Sequence, residues 1–385
     1  MHFSPPTLHP VVITNEEDRD LVRRQMRSLI SRRPKLGIKQ PANSSPVSIQ
    51  LTTVSQLGSF DSYIQVQFST AGDPVTASLL VDSGNSTMII PCGEHLMGVP
   101  GYTVLGTATE PWGCPANVVQ GTLQIVTSDG SIYEIENCVF YACTGNNQSG
   151  ERTANFGTGC ISPWSASGWN TPEGVDVTMQ SPLSYNTSYL HAEFVYAPVE
   201  TMFSNTDKAL VTDESMLILH TSVPSGYTLL STIRNLEWMS VVPASLSIHG
   251  EEMKWPGNDA SPIAMIDTGG GPVFLSYPEG FRYSHDWLDP VACPTWASSS
   301  QDCTCVSAQL ELCLIESGGT TSYTYTIDTN GMPTSVQGLT AVMCKLNTYM
   351  MGRQGMNVGG ITALFNRILI NYDGIQVGLA PKYPN

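Results

Sequence analysis

Charge is scarce in this sequence. Asp, Glu, Lys and Arg together make up 13% of its 385 residues, against roughly 25% in ordinary soluble domains. What charge there is leans acidic, with a net of −16 and a pI near 4.7. That balance excludes nucleic acid as an expected partner, because binding it needs a basic footprint. Long apolar runs are also missing; none approaches the ~18 residues of a membrane-spanning helix, so no membrane span is expected. Low-complexity tracts are absent while 41% of residues are hydrophobic, which argues against disorder. The seven histidines are scattered and form no His-Glu-x-x-His, and Gly-x-Ser-x-Gly does not occur. Gly269-Gly270-Gly271 runs into Pro272 rather than Lys-Ser/Thr, so it is no phosphate loop. Zinc, serine-hydrolase and nucleotide chemistry therefore have no support, and neither a metal nor a cofactor is called for. Met1-His2-Phe3-Ser4-Pro5-Pro6 lacks the continuous apolar core of a secretory signal. This favours a cytoplasmic protein, unless a leader has been removed.

What is present reads as β structure. The 34 glycines and 26 prolines are spread along the chain, so turns are frequent and long helices few. Alternating runs such as Tyr63–Phe68, Thr122–Thr127 and Tyr323–Ile327 are broken by turn residues such as Ser128-Asp129-Gly130. An all-β protein is expected, and 385 residues suit two lobes of about 150–200 residues each. The N-terminal stretch differs. Residues 1–40 carry a net charge of +4 and the remainder −20, so the arm should be drawn to the acidic body at low salt. Val22, Met26, Leu29 and Ile30 predict an amphipathic helix over 20–33, ended before Pro34. A linker-like Pro41–Pro46 follows. The ten cysteines are too dilute to demand disulfides. Four of them (293, 303, 305 and 313) cluster without Cys-x-x-Cys spacing, so buried thiols fit better than zinc.

One long-range repeat carries chemistry. Leu79-Leu80-Val81-Asp82-Ser83-Gly84 recurs as Ala264-Met265-Ile266-Asp267-Thr268-Gly269, 185 residues later. Each copy is an apolar strand that delivers a carboxylate into a tight turn. The apolar run asks for cover on both faces, and the glycine permits a sharp, close turn. A carboxylate held there is costly unless partnered. If two such loops meet, the acids share one proton because both cannot ionise at close range, and they titrate as a pair. The ionised member can then take a proton from water while the protonated one polarises a carbonyl. The plain alternative is two ordinary strand-end turns.

With these motifs the chain resembles the pepsin-like aspartic peptidases from about residue 50 onward. Leu80–Ser86 is similar to that family's first active-site loop and Met265–Gly269 to its second. Gly359-Gly360, Phe365-Asn366-Arg367, Tyr372-Asp373 and Val377–Pro381 resemble its closing segment. The resemblance implies a bilobal double β-barrel with a central cleft. It divides the chain into a basic arm at 1–45, a first lobe at 46–225 carrying Asp82, and a second at 226–385 carrying Asp267. It implies an aspartic endopeptidase acting as a monomer on peptide or protein substrates, with Asp82 and Asp267 catalytic. Ser83 and Thr268 would tie the loops together, and Gly84 and Gly269 would supply the turns. The flap would fall at Trp112-Gly113-Cys114 to Leu123. The arm could be a propeptide with Lys35 or Lys39 near the dyad, a docking segment, or a solvated tail. One of Cys303 or Cys305 could pair with Cys344.

The pattern is broken in three places. Three residues beyond each Asp the family has Ser or Thr, whose hydroxyl supports the carboxylate; here stand Asn85 and Gly270. Loss of that bond at Asp267 predicts a raised pKa and a pH optimum nearer neutral. Seven residues after the first Asp stands Ile89 where the family has a tryptophan that bonds the flap tyrosine, whose own place Trp112 takes here, so that link is lost. Phe156-Gly157-Thr158-Gly159-Cys160 departs from an apolar-apolar-Gly support segment. Asn85-Ser86-Thr87 is also a glycosylation sequon, and a glycan there would block the site; others begin at Asn43, Asn147 and Asn186. These departures leave two other expectations open: a non-proteolytic enzyme using the dyad for proton transfer on a small molecule, and a catalytically silent binding protein.

Overall fold

A computed structural model describes residues 45–382 apart from 57–58, 70–72, 92, 147–149, 151–153, 161–178, 187, 204–209, 234–238, 249, 253–262, 270–272, 278–294, 297–302, 307–308, 331–340 and 347–354. The basic arm with its expected helix, the sequons at Asn43 and Asn147, and Gly270 lie outside the described residues.

The described chain is mostly β-strand, and its periodicity explains why. In β2 (Ser59–Phe68), Phe60, Ser62, Ile64, Val66 and Phe68 are buried while the residues between them are half-buried, the period of two that a pleated strand imposes. The same period holds in β6 (Pro115–Val126) from Val119 onward, after a shift at Val118/Val119, and in β19 (Ser322–Asp328), so the three alternating runs fall in strands, save Thr127 just past the end of β6. Ser128-Asp129-Gly130 makes the expected turn to β7 (Ile132–Cys143), with Gly130 at φ +84°.

Most strands of the first half close into a barrel. β2, β3 (Val75–Asp82), β8 (Asn155–Gly157), β4 (Met88–Ile90), β7 and β6 are neighbours in that order. The ring of six is completed by β2–β6 pairs Val66↔Ile125 and Gln67↔Gln124. β5 (Tyr102–Thr109) extends β6 into a hairpin at the sheet edge.

The second sheet repeats this wiring. β3 runs parallel to β8, β8 antiparallel to β4, and β4 parallel to β7. Likewise β14 (Ile263–Met265) runs parallel to β21 (Gly355–Asn357), β21 antiparallel to β15 (Val273–Tyr277), and β15 parallel to β20 (Ala341–Leu346). β12 (Ser240–Ile248) joins β14 to the hairpin of β18 (Gln309–Ile315) and β19. β17 (Cys303–Val306) sits against β20 with Cys303 opposite Cys344 and Cys305 opposite Val342.

The boundary expected at 225/226 is not a break in strand pairing. β11 (Thr228–Ser231), β23 (Gln376–Pro381) and β22 (Asn366–Asn371) join the first sheet. They do so next to β9 (His191–Val195), which in turn pairs β10 (Leu210–His220), and β10 pairs β1 (Val47–Gln56). A continuous core runs from Ile49 and Phe60 to Leu310 and Leu379. Helix is confined, among the described residues, to short turns such as α1 (Val199–Met202) and α2 (Gly359–Phe365). No described helix is long and apolar enough to cross a membrane.

Candidate active site

Strand β3 ends at Asp82 and strand β14 stops two residues short of Asp267; both strands are fully or largely buried where they deliver the acids. The two turns are locked together by their hydroxyl residues. Ser83 N donates to Thr268 Oγ1 at 3.1 Å, and Thr268 N donates to Ser83 Oγ at 2.9 Å. Each hydroxyl then donates into the opposite strand: Ser83 Oγ to Ile266 O at 2.7 Å and Thr268 Oγ1 to Val81 O at 3.4 Å. Ser83 and Thr268 are buried, so these bonds have no competition from water and hold the loops in register.

This reciprocal lock sets the carboxyl groups of Asp82 and Asp267 beside one another: a Cβ on Gly269 would stand 3.0 Å from Asp82 Oδ1 and 3.3 Å from Asp267 Oδ1. Their inner oxygens are held alike: Gly84 N donates to Asp82 Oδ1 at 2.8 Å and Gly269 N to Asp267 Oδ1 at 2.9 Å. The glycines are required by the approach itself. A Cβ on Gly84 would stand 2.5 Å from Asp267 Cγ, and one on Gly269 2.9 Å from Asp82 Cγ.

The outer oxygens are held by two residues that sequence reading passed over. Asn155 Nδ2 donates to Asp82 Oδ2 at 2.8 Å, and Asn357 Nδ2 donates to Asp267 Oδ2 at 2.6 Å. The strands that carry them run parallel to the Asp strands, with Asn155 opposite Leu80 and Asn357 opposite Met265. Each asparagine therefore lies opposite the residue two before its aspartate. The expectation that Asp267 lacks a side-chain donor is corrected here: Asn357 supplies it from a neighbouring strand. The only sequence signal was a second faint repeat, Asn155-Phe156-Gly157 and Asn357-Val358-Gly359.

Asn85 does not reach a carboxylate. Its Nδ2 donates to Asn155 Oδ1 and to Thr87 O, both at 3.2 Å, while its Oδ1 accepts from Thr87 N and Oγ1. With both amide hydrogens engaged and 7% exposure, the folded Asn85 has no room for a glycan. Asn186 is similarly buried, bonded to Tyr133. Phe156–Cys160 supports the first loop despite its departure from the family pattern: Thr158 N donates to Asp82 O and Gly159 N to Asn85 O, both at 2.8 Å.

Asp82 is 8% exposed. Burial, then the charge of Asp267 and the bond to it, push its carboxyl well above the usual carboxylate range, against the smaller pull of Asn155 and Gly84 N–H. The pair therefore keeps a proton at pH values where a lone carboxyl would have lost it. Behind the loops lies the buried phenol of Tyr196, near Thr268 and Ser62, its pKa raised by burial.

Trp112 and Gly113 form the tip of the β5–β6 hairpin, where Gly113 has φ +90° and Trp112 is 44% exposed. The buried carboxylate of Glu110 folds over that tip, accepting from Trp112 N at 2.9 Å and Cys114 N at 2.6 Å. Ile89 is fully buried in a cluster with Cys114, Val118 and Tyr141. It packs against Cys114 and Val118 of the hairpin. Cys138 and Cys160 are free buried thiols whose pKa burial raises to about 12, which makes them inert. No cluster that could hold a metal ion occurs among the described residues.

No protein-family model and no curated protein matches the chain.

Proposed function

We propose that the protein is an aspartic endopeptidase of the pepsin-like type, bilobal, with its cleft at the junction of the two Asp loops. The observation that carries this reading is the facing pair of carboxyls, tied by the reciprocal Ser83–Thr268 bonds and sharing a proton held above the usual carboxylate range. The matched strand wiring on either side adds support, since it presents two copies of one loop to each other.

The chemistry follows from one shared proton. A water between the carboxyls attacks the peptide carbonyl carbon as its proton passes to Asp267. The proton of Asp82 passes to the carbonyl oxygen, giving a neutral tetrahedral diol. On collapse, the amine leaves with the proton from Asp267 as the C–N bond breaks, and a diol hydroxyl returns its proton to Asp82. No covalent intermediate and no metal takes part. In this reading Trp112, exposed at the hairpin tip, touches substrate, with Glu110 fixing the backbone that carries it.

A second reading is proton transfer on a small molecule by the same dyad. It is favoured by amide donors standing where hydroxyls are expected. Digestion of an unfolded protein across pH 3 to 7, with and without pepstatin, separates the two. Pepstatin-sensitive cutting that Asp267→Asn lowers by at least ~10³-fold is the expected result. Pepstatin binding without cutting would favour the second reading, and neither would leave a silent binding protein.

A further inference from the structure

Among the described residues, four hydrogen bonds reach the dyad from outside it, and every donor is an N–H. Gly84 N and Gly269 N serve the inner oxygens, Asn155 Nδ2 and Asn357 Nδ2 the outer ones. A hydroxyl in the outer position could turn round and accept a hydrogen bond from a carboxylic acid; an amide –NH₂ can only donate. The orientation of both amides is set by their own carbonyls. Asn155 Oδ1 accepts from Asn85 Nδ2 at 3.2 Å, and Asn357 Oδ1 accepts from Gly359 N at 3.1 Å. Reversing either amide would break that bond and set a carbonyl oxygen against a carboxylate oxygen.

Resting on the dyad reading above, we propose that Asn155 and Asn357 are positioning residues that hold both outer oxygens as acceptors and so keep the shared proton on the inner side of the pair, with Asn85 orienting Asn155. The two asparagines reach the site by the same route, at the same register offset on parallel strands. Two independent placements of one residue type at equivalent points, both nine-tenths buried, tie them to the carboxyls rather than to general packing. Because their bonds favour the ionised form, removing one raises the proton affinity of the aspartate it serves. Among the described residues the titratable groups facing Asp82 are Asp267 and, from behind, the phenol of Tyr196; neither replaces a lost N–H donor.

The test reads the carboxyls directly, without substrate. The full chain is labelled at the Asp side-chain carboxyl carbon, and the dyad is titrated by NMR in wild type, Asn155→Leu, Asn357→Leu and Asn85→Ala. Loss of a hydrogen bond to a charged group predicts an upward shift of about one to two pH units for Asp82 in Asn155→Leu. Asn357→Leu should act in the same direction on Asp267. Asn85→Ala leaves the donor in place and should give a smaller upward shift at Asp82, which keeps the proposal testable if a leucine variant does not fold. Midpoints within about 0.3 units of wild type in the folded variants overturn it. If wild type cleaves no peptide yet the midpoints move, the positioning role stands and the peptidase reading falls. If wild type cleaves and the midpoints stay, the reverse holds.

Discussion

Asp82 links the site to the stability of the fold. An exposed Asp in the unfolded chain titrates near 3.9, whereas the folded Asp82 holds its proton well above that, chiefly through burial. Between the two values the folded protein binds more protons than the unfolded one, so stability falls as pH rises. The contribution is complete below about pH 4 and disappears as pH passes the folded value, at up to about 1.4 kcal/mol per unit. Urea unfolding from pH 4 to 8 should trace this loss, and Asp82→Asn should flatten it; a wild-type profile already flat across that range contradicts the assignment. If the dyad is catalytic as proposed, the same proton sets the alkaline limb of its pH profile. An optimum nearer neutral is thus expected on the burial of Asp82, not on a missing donor at Asp267, since Asn357 fills that position.

The β5–β6 hairpin depends on one buried acid. Glu110 accepts both Trp112 N and Cys114 N, while its own backbone pairs with Cys114 O and Gly113 N. Glu110→Ala leaves two tip N–H groups without that partner. Amide exchange at Trp112 and Cys114 should then accelerate by about tenfold or more, the factor that corresponds to one ordinary hydrogen bond. Global stability should change far less, because the strands below keep their pairing from Tyr102↔Gly121 to Thr109↔Pro115. Unchanged exchange at the tip would mean that backbone bonds alone hold the turn. The tip was legible in the sequence as Trp112-Gly113-Cys114. The role of Glu110 was not, because nothing in a lone glutamate tells that its carboxylate folds back over the next turn.

Across the chain, the strands nearest the C-terminus are bound to the first sheet through a buried charge. Glu193 on β9 is 5% exposed and accepts from Tyr227 Oη at 2.6 Å and from Arg367 Nη1 at 3.3 Å, with His220 Nε2 at 2.6 Å. Tyr227 and Arg367 belong to the stretch expected as the second lobe, Glu193 and His220 to the first. Glu193→Ala should cost about 1.5 kcal/mol in urea unfolding, because it leaves the half-buried Tyr227, Arg367 and His220 without their acceptor. A loss under about 0.5 kcal/mol would place the cohesion in the ladders β9–β22 and β22–β23 and not in this cluster.

Amino-acid order alone was enough for the β character, the turns and the identity of the two acids that meet. Those properties are local: side-chain alternation marks a strand, and an apolar run into Asp-Ser/Thr-Gly marks a buried strand ending in a tight turn. The partners of those acids were settled only when distant strands paired. Asn155 lies 73 residues from Asp82 and Asn357 lies 90 from Asp267, and parallel strands have no short connection to announce their register. The joining of β22 and β23 to the first sheet belongs to the same category, since an apolar strand records that it must be covered but not by what.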